Sequence, residues 1–335
     1  MTQASYLFTR SNIFSLLAIL FVFMFILTGC GNEAASVEDE GAEEPETEET
    51  EVVNVREITH AMGTTPIEGT PERIVTLYQG ATDAAVAFGI TPVGAVESWV
   101  QQPFYEYFRS DLEGVEIVGL ETQPNLEEIA KLNPDLIIAS KLRHEEVYEQ
   151  LSEIAPTVTH ETVFMFKETV ELMGQAMNQE EKANEILINW DNRVADLSAK
   201  LQEKLGNDWP INVSILNFRA DHARIYNTGF AGSILEEVGF TRPENQQIED
   251  AVTMLTDKES ITEMNADVFY IFNEDDPAVQ QTFEEWTSHP LWNQLDAVQK
   301  EQVHMVDEVT WNMAGGIVAA NLMLDDIYDR FGLEK

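Results

Sequence analysis

Cationic side chains are the chemically most distinctive residues of this sequence, because the chain as a whole is strongly acidic. Its 335 residues contain 19 Lys and Arg against 60 Asp and Glu, a formal net charge of −41. Arg219, His222 and Arg224 nevertheless lie within six residues, and Lys141 and Arg143 form a second group. Arginine is always charged and its planar fork bonds two oxygens at once, so these groups are suited to an anionic ligand.

Each cationic group follows a segment that is typical of a buried strand. Residues 136–139 and 211–216 are largely apolar runs, and Arg143 and Arg219 come soon after them. Ligands of open α/β sheets bind beyond the carboxyl ends of the strands, so both arginines are placed where a ligand would bind. The alternative for Arg143 is a solvated surface side chain paired with Glu145.

The sequence around these residues alternates strand and helix patterns. In the first half, strands are predicted at 73–77, 92–96, 136–139 and 156–158, with helices at 80–89, 125–132 and 145–154. In the second half, strands are predicted at 211–216 and 266–272, with helices at 233–238 and 261–264. This alternation predicts an α/β fold with parallel sheets. An Asp precedes an apolar strand once in each half, at Asp135 and Asp267, which favours two similar lobes.

A long helical segment separates the two halves. Residues 167–206 contain no Pro and a single Gly, and their apolar residues recur at helical spacing, with a break expected near Asn178. A helix of this length does not fit inside one lobe and must run outside or between two. We therefore predict an N-terminal α/β lobe at 55–166, a connecting helix at 167–206 and a C-terminal α/β lobe at 207–335.

The N-terminal residues predict export and lipid attachment. A basic residue, Arg10, precedes an apolar run at 13–27 of about fifteen residues, which suits a secretory signal better than a membrane span. Small residues then precede Cys30, so residues 1–29 are predicted to be a lipoprotein signal peptide and Cys30 the lipidated residue. The alternative is a transmembrane anchor. Residues 30–54 are acidic and lack large apolar side chains, which predicts an extended tether on the outer face of the cell membrane.

Several functional classes are disfavoured by composition. The single cysteine leaves no disulfide framework or thiol chemistry downstream. The other histidines are scattered without the spacing of metal ligands, and neither a nucleophile elbow nor a Walker loop occurs. A net charge of −41 disfavours nucleic acid as a partner. We therefore expect a binding protein rather than an enzyme, with no cofactor and no metal site of its own.

Four segments in order resemble the iron–siderophore substrate-binding lipoproteins of ABC importers: NLEEIAKLNPDLIIASKLRHEEVYEQLSEIAPTV, FRADHARIYNTGFAGSILEEVGF, TDKESITEMNADVFYIF and EWTSHPLWNQLDAVQKEQVHMVDEVTWNMAGGIVAANLMLDDIYDRF. The resemblance covers essentially the whole chain after the tether. Among these proteins the chain is most similar to Gram-positive receptors for citrate-based siderophores of the schizokinen and staphyloferrin types. The resemblance implies two Rossmann-like lobes, a rigid connecting helix, a shallow cleft between the lobes and a small closing motion.

The resemblance also implies which side chains contact the ligand. A ferric siderophore of this type is an anionic, oxygen-rich complex whose metal is already saturated, so the protein must supply cations, hydrogen-bond donors and flat apolar walls. The candidates are Arg143, Lys141, Arg219, His222, Arg224, Trp99, Trp311 and Asn312. Trp311 and Asn312 match the family's cleft-lining turn, although a Trp at that place is also compatible with the core.

Docking to the permease of the importer, which works with an ATPase, is expected to use acids on each lobe. Glu127, at the start of its helix, fits the first-lobe pattern, and the alternative is a helix-capping acid. The second lobe has Ser233 where the family often has Glu, so Glu236 or Glu237 is expected to substitute. Two other functions stay open: a cobalamin or haem receptor of the same fold, and a surface lipoprotein without a role in transport.

Overall fold

The computed structural model describes residues 55–335. The predicted signal peptide, the lipidated Cys30 and the tether therefore lie outside the described residues. Within residues 55–335, no helix is both long enough and apolar enough to cross a membrane.

The described residues form thirteen strands in three sheets. In chain order, β1 to β13 are Val55–His60, Gly63–Glu68, Ile74–Thr76, Gly94–Glu97, Glu116–Leu120, Gln123–Pro124, Leu136–Ser140, Thr157–His160, Val213–Phe218, Ala223–Tyr226, Val252–Leu255, Val268–Ile271 and Val303–Met305. The pair β1–β2 is an antiparallel hairpin that the sequence reading did not predict.

The same residues form ten α-helices. In chain order, α1 to α10 are Gln79–Phe88, Leu126–Lys131, Lys141–His144, Tyr148–Ile154, Phe166–Ala176, Glu180–Leu205, Phe230–Val238, Pro277–Thr287, Asp296–Gln299 and Ile317–Arg330. Short 3-10 turns and one π-helical turn, Val309–Met313, connect several of them.

The first large sheet has the strand order β6-β5-β4-β3-β7-β8, and all its neighbours are parallel except β5 and β6. Its central strands β3 and β7 are buried throughout, as expected for a sheet covered on both faces. Asp135 fixes their register at the start. Its carboxylate accepts hydrogen bonds from the Glu72 N–H (2.9 Å) and the Arg73 N–H (2.8 Å), just before β3 begins.

The second large sheet has the order β11-β10-β9-β12-β13. Strands β9, β12 and β13 are parallel, and Asp267 repeats the role of Asp135 by accepting a hydrogen bond from the Asn212 N–H (3.0 Å) before β9. Strands β10 and β11 are antiparallel, which departs from the predicted alternation. The connection from β9 to β10 is a tight hairpin closed by the Arg219 N–H and the His222 carbonyl (2.9 Å). A turn this short cannot make the crossover that a parallel pair requires.

The predicted break in the long helical segment is confirmed. Helix α5 ends at Ala176, α6 begins at Glu180, and Asn178 between them has a left-handed backbone (φ 58°). Helix α6 spans 26 residues and buries Trp190, Leu197 and Leu201 in a core cluster that also contains residues of both large sheets. The fold class, an α/β protein with two lobes and a long connecting helix, is thus confirmed.

Candidate ligand-binding cleft

A cleft opens where the carboxyl ends of strands from both large sheets face one another. It encloses a cavity of about 430 Å³. The first half of the chain contributes Gln79, Gly80, Trp99, Val100, Glu121, Arg143, Val163 and Phe164, and the second half contributes Tyr226, Glu274, Asn312, Met313, Ala314 and Gly315. Of the eight residues that the sequence predicted to contact a ligand, Arg143, Trp99 and Asn312 line this cavity.

A close contact between helix α1 and the loop after residue 313 forms the floor of the cleft. Gly80 approaches so closely that a Cβ atom there would lie 2.6 Å from the Gly315 carbonyl oxygen. Three residues along the same helix, buried Asp83 accepts hydrogen bonds from the Val318 N–H (2.7 Å) and the Ala319 N–H (3.0 Å) at the start of α10. The aspartate therefore caps α10 and fixes the loop that carries Asn312.

Arg143 is held on the first side of the cleft by a buried acid. Its Nε–H donates to Glu121 Oε1 (3.2 Å), while Glu121 Oε2 accepts the backbone N–H of Gln79 (3.0 Å) at the start of α1. The Glu121 side chain is only 3% exposed, against 32% for Arg143. Burial raises the pKa of Glu121, and the Gln79 N–H and the Arg143 guanidinium oppose that rise. The arginine is thus positioned with its outer edge towards the cavity.

Arg219 is held on the second side by two acids. Its guanidinium pairs with Glu274 through Nη1, and Nη2 lies 3.5 Å from Glu308 Oε1. Burial raises the pKa of Glu308, and the charge of Arg219 opposes the rise. Glu274 lines the cavity and Arg219 does not. On this side the cavity therefore meets the acidic partner of the arginine rather than the arginine itself.

His222 and Arg224 do not line the cleft. The Arg224 Nε–H donates to His222 Nε2 (2.8 Å), so the histidine proton is on Nδ1, which lies 2.6 Å from Asp221 Oδ1. Sequence spacing suggested one cationic cluster. In the structure, His222 bonds Asp221 and Arg224 within the β9–β10 hairpin, whereas Arg219 pairs with Glu274 and Glu308.

Two further predicted contacts lie elsewhere. Trp311 is fully buried, donates from Nε1 to Asp326 Oδ2 (2.9 Å) and has its ring centroid 4.6 Å from that of Tyr270. The prediction that it forms a wall of the cleft is therefore wrong, because the π-helical turn directs the indole into the core and leaves Asn312 at the surface. Lys141 pairs with Glu161 (3.0 Å) and does not line the cavity.

The acids Glu121, Glu274 and Glu308 are the functional residues that sequence reasoning missed. Each follows a strand of one of the large sheets, β5, β12 or β13. The rule that located Arg143 and Arg219 at strand ends would have found these acids as well. In a chain with 60 acidic residues, however, nothing in composition distinguishes them.

The predicted docking acids differ in their availability. Glu127 and Glu236 are exposed, at the start of α2 and on α7. Glu237, the alternative to Glu236, accepts hydrogen bonds from Lys167 Nζ (2.8 Å) and Trp190 Nε1 (3.1 Å). Its carboxylate is therefore already engaged.

Comparison with known proteins identifies the family. The sequence model described as "Periplasmic binding protein" matches residues 74–310. The chain belongs to this family. Within residues 55–335 of this periplasmic binding protein, no group of three or more His, Cys, Asp or Glu side chains is arranged to hold a metal ion.

Relatives of this periplasmic binding protein include proteins named for siderophores. The achromobactin-binding periplasmic protein of Dickeya dadantii is 50% identical over 260 residues, 77% of this chain and 85% of that protein. The probable siderophore-binding lipoprotein YfiY of Bacillus subtilis is 41% identical over 330 residues, 94% of this chain and 98% of that protein. The sequence-based resemblance to siderophore-binding proteins of ABC importers is thus confirmed.

A solved structure extends the comparison. Staphylococcus aureus SirA complexed with staphyloferrin B superposes with a TM-score of 0.80 at 49% identity, covering 83% of this chain and 99% of SirA. The two-lobed architecture of this periplasmic binding protein is therefore shared with a protein that binds a siderophore.

Proposed function

We propose that this chain is the extracytoplasmic substrate-binding component of an ABC importer, which captures a ferric siderophore between its lobes and delivers it to a permease. One observation carries the proposal: a single cleft at the strand ends of both sheets is lined by Arg143 on one side and by Glu274, the ion-pair partner of Arg219, on the other. In a protein of net charge −41, such a site is suited to a local anionic group rather than to an acidic macromolecule.

The cleft residues take up complementary roles in this proposal. Arg143 bonds anionic oxygens of the complex directly, and Arg219 does so as Glu274 gives way. The exposed ring of Trp99 covers a flat face of the ligand, and Asn312 donates a hydrogen bond from the opposite wall. Iron is cargo whose coordination is completed by the siderophore. The protein therefore binds and releases the complex and carries out no reaction on it.

The ligand class is a citrate-based siderophore with carboxylate and hydroxamate groups. Similarity to relatives named for achromobactin and staphyloferrin B supports this choice. Charge-assisted bonds from two arginines also favour carboxylate oxygens, because a guanidinium fork matches a carboxylate in geometry.

The remaining parts of the molecule serve delivery. The lipid on Cys30 and the acidic tether at 30–54 hold the lobes, 55–166 and 207–335, near the membrane, and the segment 167–206 connects them. Glu127 on the first lobe and Glu236 on the second meet arginines of the permease, which is driven by its ATPase. The name of the similar lipoprotein YfiY supports the anchor.

A ligand panel tests the proposal. Full-length chain held in phospholipid nanodiscs is titrated with ferric schizokinen and other ferric siderophores while tryptophan fluorescence is recorded, with empty nanodiscs as the blank. We expect submicromolar quenching by a citrate-based complex and no saturable response to haem, cobalamin or ferric ion alone. Failure of every ferric siderophore would contradict the proposal, and a saturable response to haem or cobalamin would replace it with that ligand.

A further inference from the structure

A second cavity adjoins the cleft, and we refer to it as the side cavity. It encloses about 440 Å³ beside β10 and the start of α5, and its lining includes Phe164, Met165, Phe166, Phe230, Ser233 and Val252. Phe164, Tyr226 and Asn312 line both cavities. Because these three side chains form a shared wall, one ligand can extend from the cleft into the side cavity.

The floor of the side cavity is rigid and apolar. Phe166 and Phe230 are buried and pack edge to face with 5.7 Å between ring centroids, and Phe166 packs on Trp190 in the same way at 5.0 Å. Such aromatic contacts hold their rings in fixed places. The floor is therefore preformed and does not need to be ordered by a ligand.

The rim of the side cavity exposes large apolar side chains. Phe164, Met165 and Val252 are 43%, 45% and 36% exposed. Val252 is brought to the rim because it pairs with Tyr226 across strands β11 and β10. Grouped exposed apolar side chains commonly mark a binding surface, since leaving them in water is unfavourable.

The charge of the side cavity differs from that of the cleft. Lys167 and Glu237 neutralise one another at 2.8 Å, so that Glu168 is the remaining charged side chain of the lining. An anionic iron complex gains nothing from such a wall, whereas an uncharged hydrocarbon group loses no hydrogen bonds there. The two cavities together thus suit a ligand with an anionic end and an apolar end.

We propose that the side cavity receives an uncharged apolar arm, an acyl chain, of the ferric siderophore whose anionic core occupies the cleft. This inference rests on the proposed function and narrows the substrate class to amphiphilic complexes. The preformed aromatic floor, the exposed apolar rim and the wall shared with the cleft all support the same occupant.

Paired ligands test the inference. Full-length chain in nanodiscs is titrated with two ferric citrate-hydroxamate complexes that differ only in their N-acyl groups, acetyl in one and octanoyl in the other. We expect the octanoyl complex to bind roughly 30-fold more tightly, less than full burial of its added methylenes would give because the cavity is half open. Empty nanodiscs correct for partitioning into lipid.

Variants inside and outside the side cavity test whether the acyl chain of the siderophore binds there. Val252→Gln makes the rim polar, and Met254→Gln makes the same change two residues along the same strand, outside the cavity. We expect Val252→Gln to reduce the octanoyl advantage at least about threefold and Met254→Gln to preserve it. Ser233→Phe, at an exposed helix position, fills the cavity and is expected to remove most of the advantage while the acetyl complex binds as before.

The outcomes of these titrations distinguish a failure of the side-cavity inference from a failure of the proposed function. Equal affinity for the two complexes, or an octanoyl advantage that survives both Val252→Gln and Ser233→Phe, would overturn the side-cavity inference and leave the proposed function intact. If neither complex binds while another ferric siderophore does, the side-cavity inference fails and the proposed function stands; if no ferric siderophore binds, the proposed function itself fails.

Discussion

The two sides of the cleft hold their arginines in different ways. Arg143 pairs with Glu121, whose side chain is 3% exposed and is fixed by the backbone of α1. Arg219 pairs with Glu274, whose side chain is 45% exposed, and with Glu308, whose side chain is 9% exposed. The cavity-lining acid is thus buried on the first side and half exposed on the second.

This difference indicates separate tasks for the two sides. A buried acid that also caps a helix start positions its arginine and cannot leave without exposing unpaired polar groups. An exposed acid costs little to displace, because water replaces its bonds. We infer that the first side is preorganised, and that on the second side the ligand competes with Glu274.

Removing each arginine should have the largest effect on binding. Arg143→Ala and Arg219→Ala should each weaken binding of a ferric citrate-based siderophore by about 1.5–3 kcal/mol, since each removes charge-assisted hydrogen bonds. Arg219, 19% exposed against 32% for Arg143, should lie nearer the upper value. Fluorescence titration measures both, with Lys141→Ala as a control. Unchanged affinity in both arginine variants would refute the assigned site.

Removing the acid on the first side should destabilise the fold more than removing the acid on the second side. Glu121→Ala leaves the Gln79 N–H and Arg143 without an acceptor and should lower the free energy of unfolding by about 2 kcal/mol. Glu274→Ala should change it by less than about 0.5 kcal/mol, because that ion pair is half exposed. Urea denaturation followed by circular dichroism measures both. Equal losses of unfolding free energy in the two variants would contradict the proposed difference between the two sides.

Neutralising the acid on each side should change the affinity for the anionic complex in different ways. Glu274→Gln should tighten binding of the anionic complex by about 1 kcal/mol, because the amide competes less strongly for Arg219. Glu121→Gln should not tighten it, since Arg143 then loses the charge that orients it. Fluorescence titration of both variants and of the wild type measures these changes in affinity. Tighter binding in Glu121→Gln would mean that Arg143, too, is restrained by its acid.

The smallest expected effect is that of pH. Burial raises the pKa of Glu121 and Glu308 above the ordinary carboxyl value, so both take up protons at a higher pH than an exposed acid. As pH falls through the raised pKa of Glu308, protonation removes negative charge beside Arg219, and an anionic ligand should bind up to about threefold more tightly.

The raised pKa values of Glu121 and Glu308 also determine how the stability of the fold depends on pH. The folded chain holds these protons more tightly than the unfolded chain, so their contribution to stability is present at low pH and declines as pH rises through the raised pKa. Glu308→Gln should flatten the pH dependence of affinity. If Glu308→Gln keeps the full pH dependence of affinity, a group other than Glu308 takes up the proton.

Much of the fold was predictable because it depends on local pattern. The apolar strands before Arg143 and Arg219, the break at Asn178 and the repeated aspartate before a strand all appear in the structure. The antiparallel β10 and β11 are missing from the predicted pattern, which has only the strands 211–216 and 266–272 in the second half. Turn length, rather than hydrophobic period, decided that pairing.

The candidate site was predictable only in part. Arg143 and Trp99, predicted from residue type and position after a strand, and Asn312, predicted from the resemblance to the family's turn, all line the cavity. They did not reveal that Trp311 is buried, because adjacent residues in a π-helical turn point in different directions and only packing decides which one faces the core. They also could not reveal the side cavity, whose walls come from segments far apart in the chain.

The sequence by itself determined the α/β class and the placing of cations after strands, because strand period, helix period and charge are local properties of the chain. The two-lobed family followed from the resemblance of four segments to known receptors. Only the tertiary structure decided which acid restrains each cation. Arg143 and Glu121 are 22 residues apart, and Arg219 meets acids that follow two other strands. Such pairs depend on strand order and burial, which set the distance between charges and the water around them.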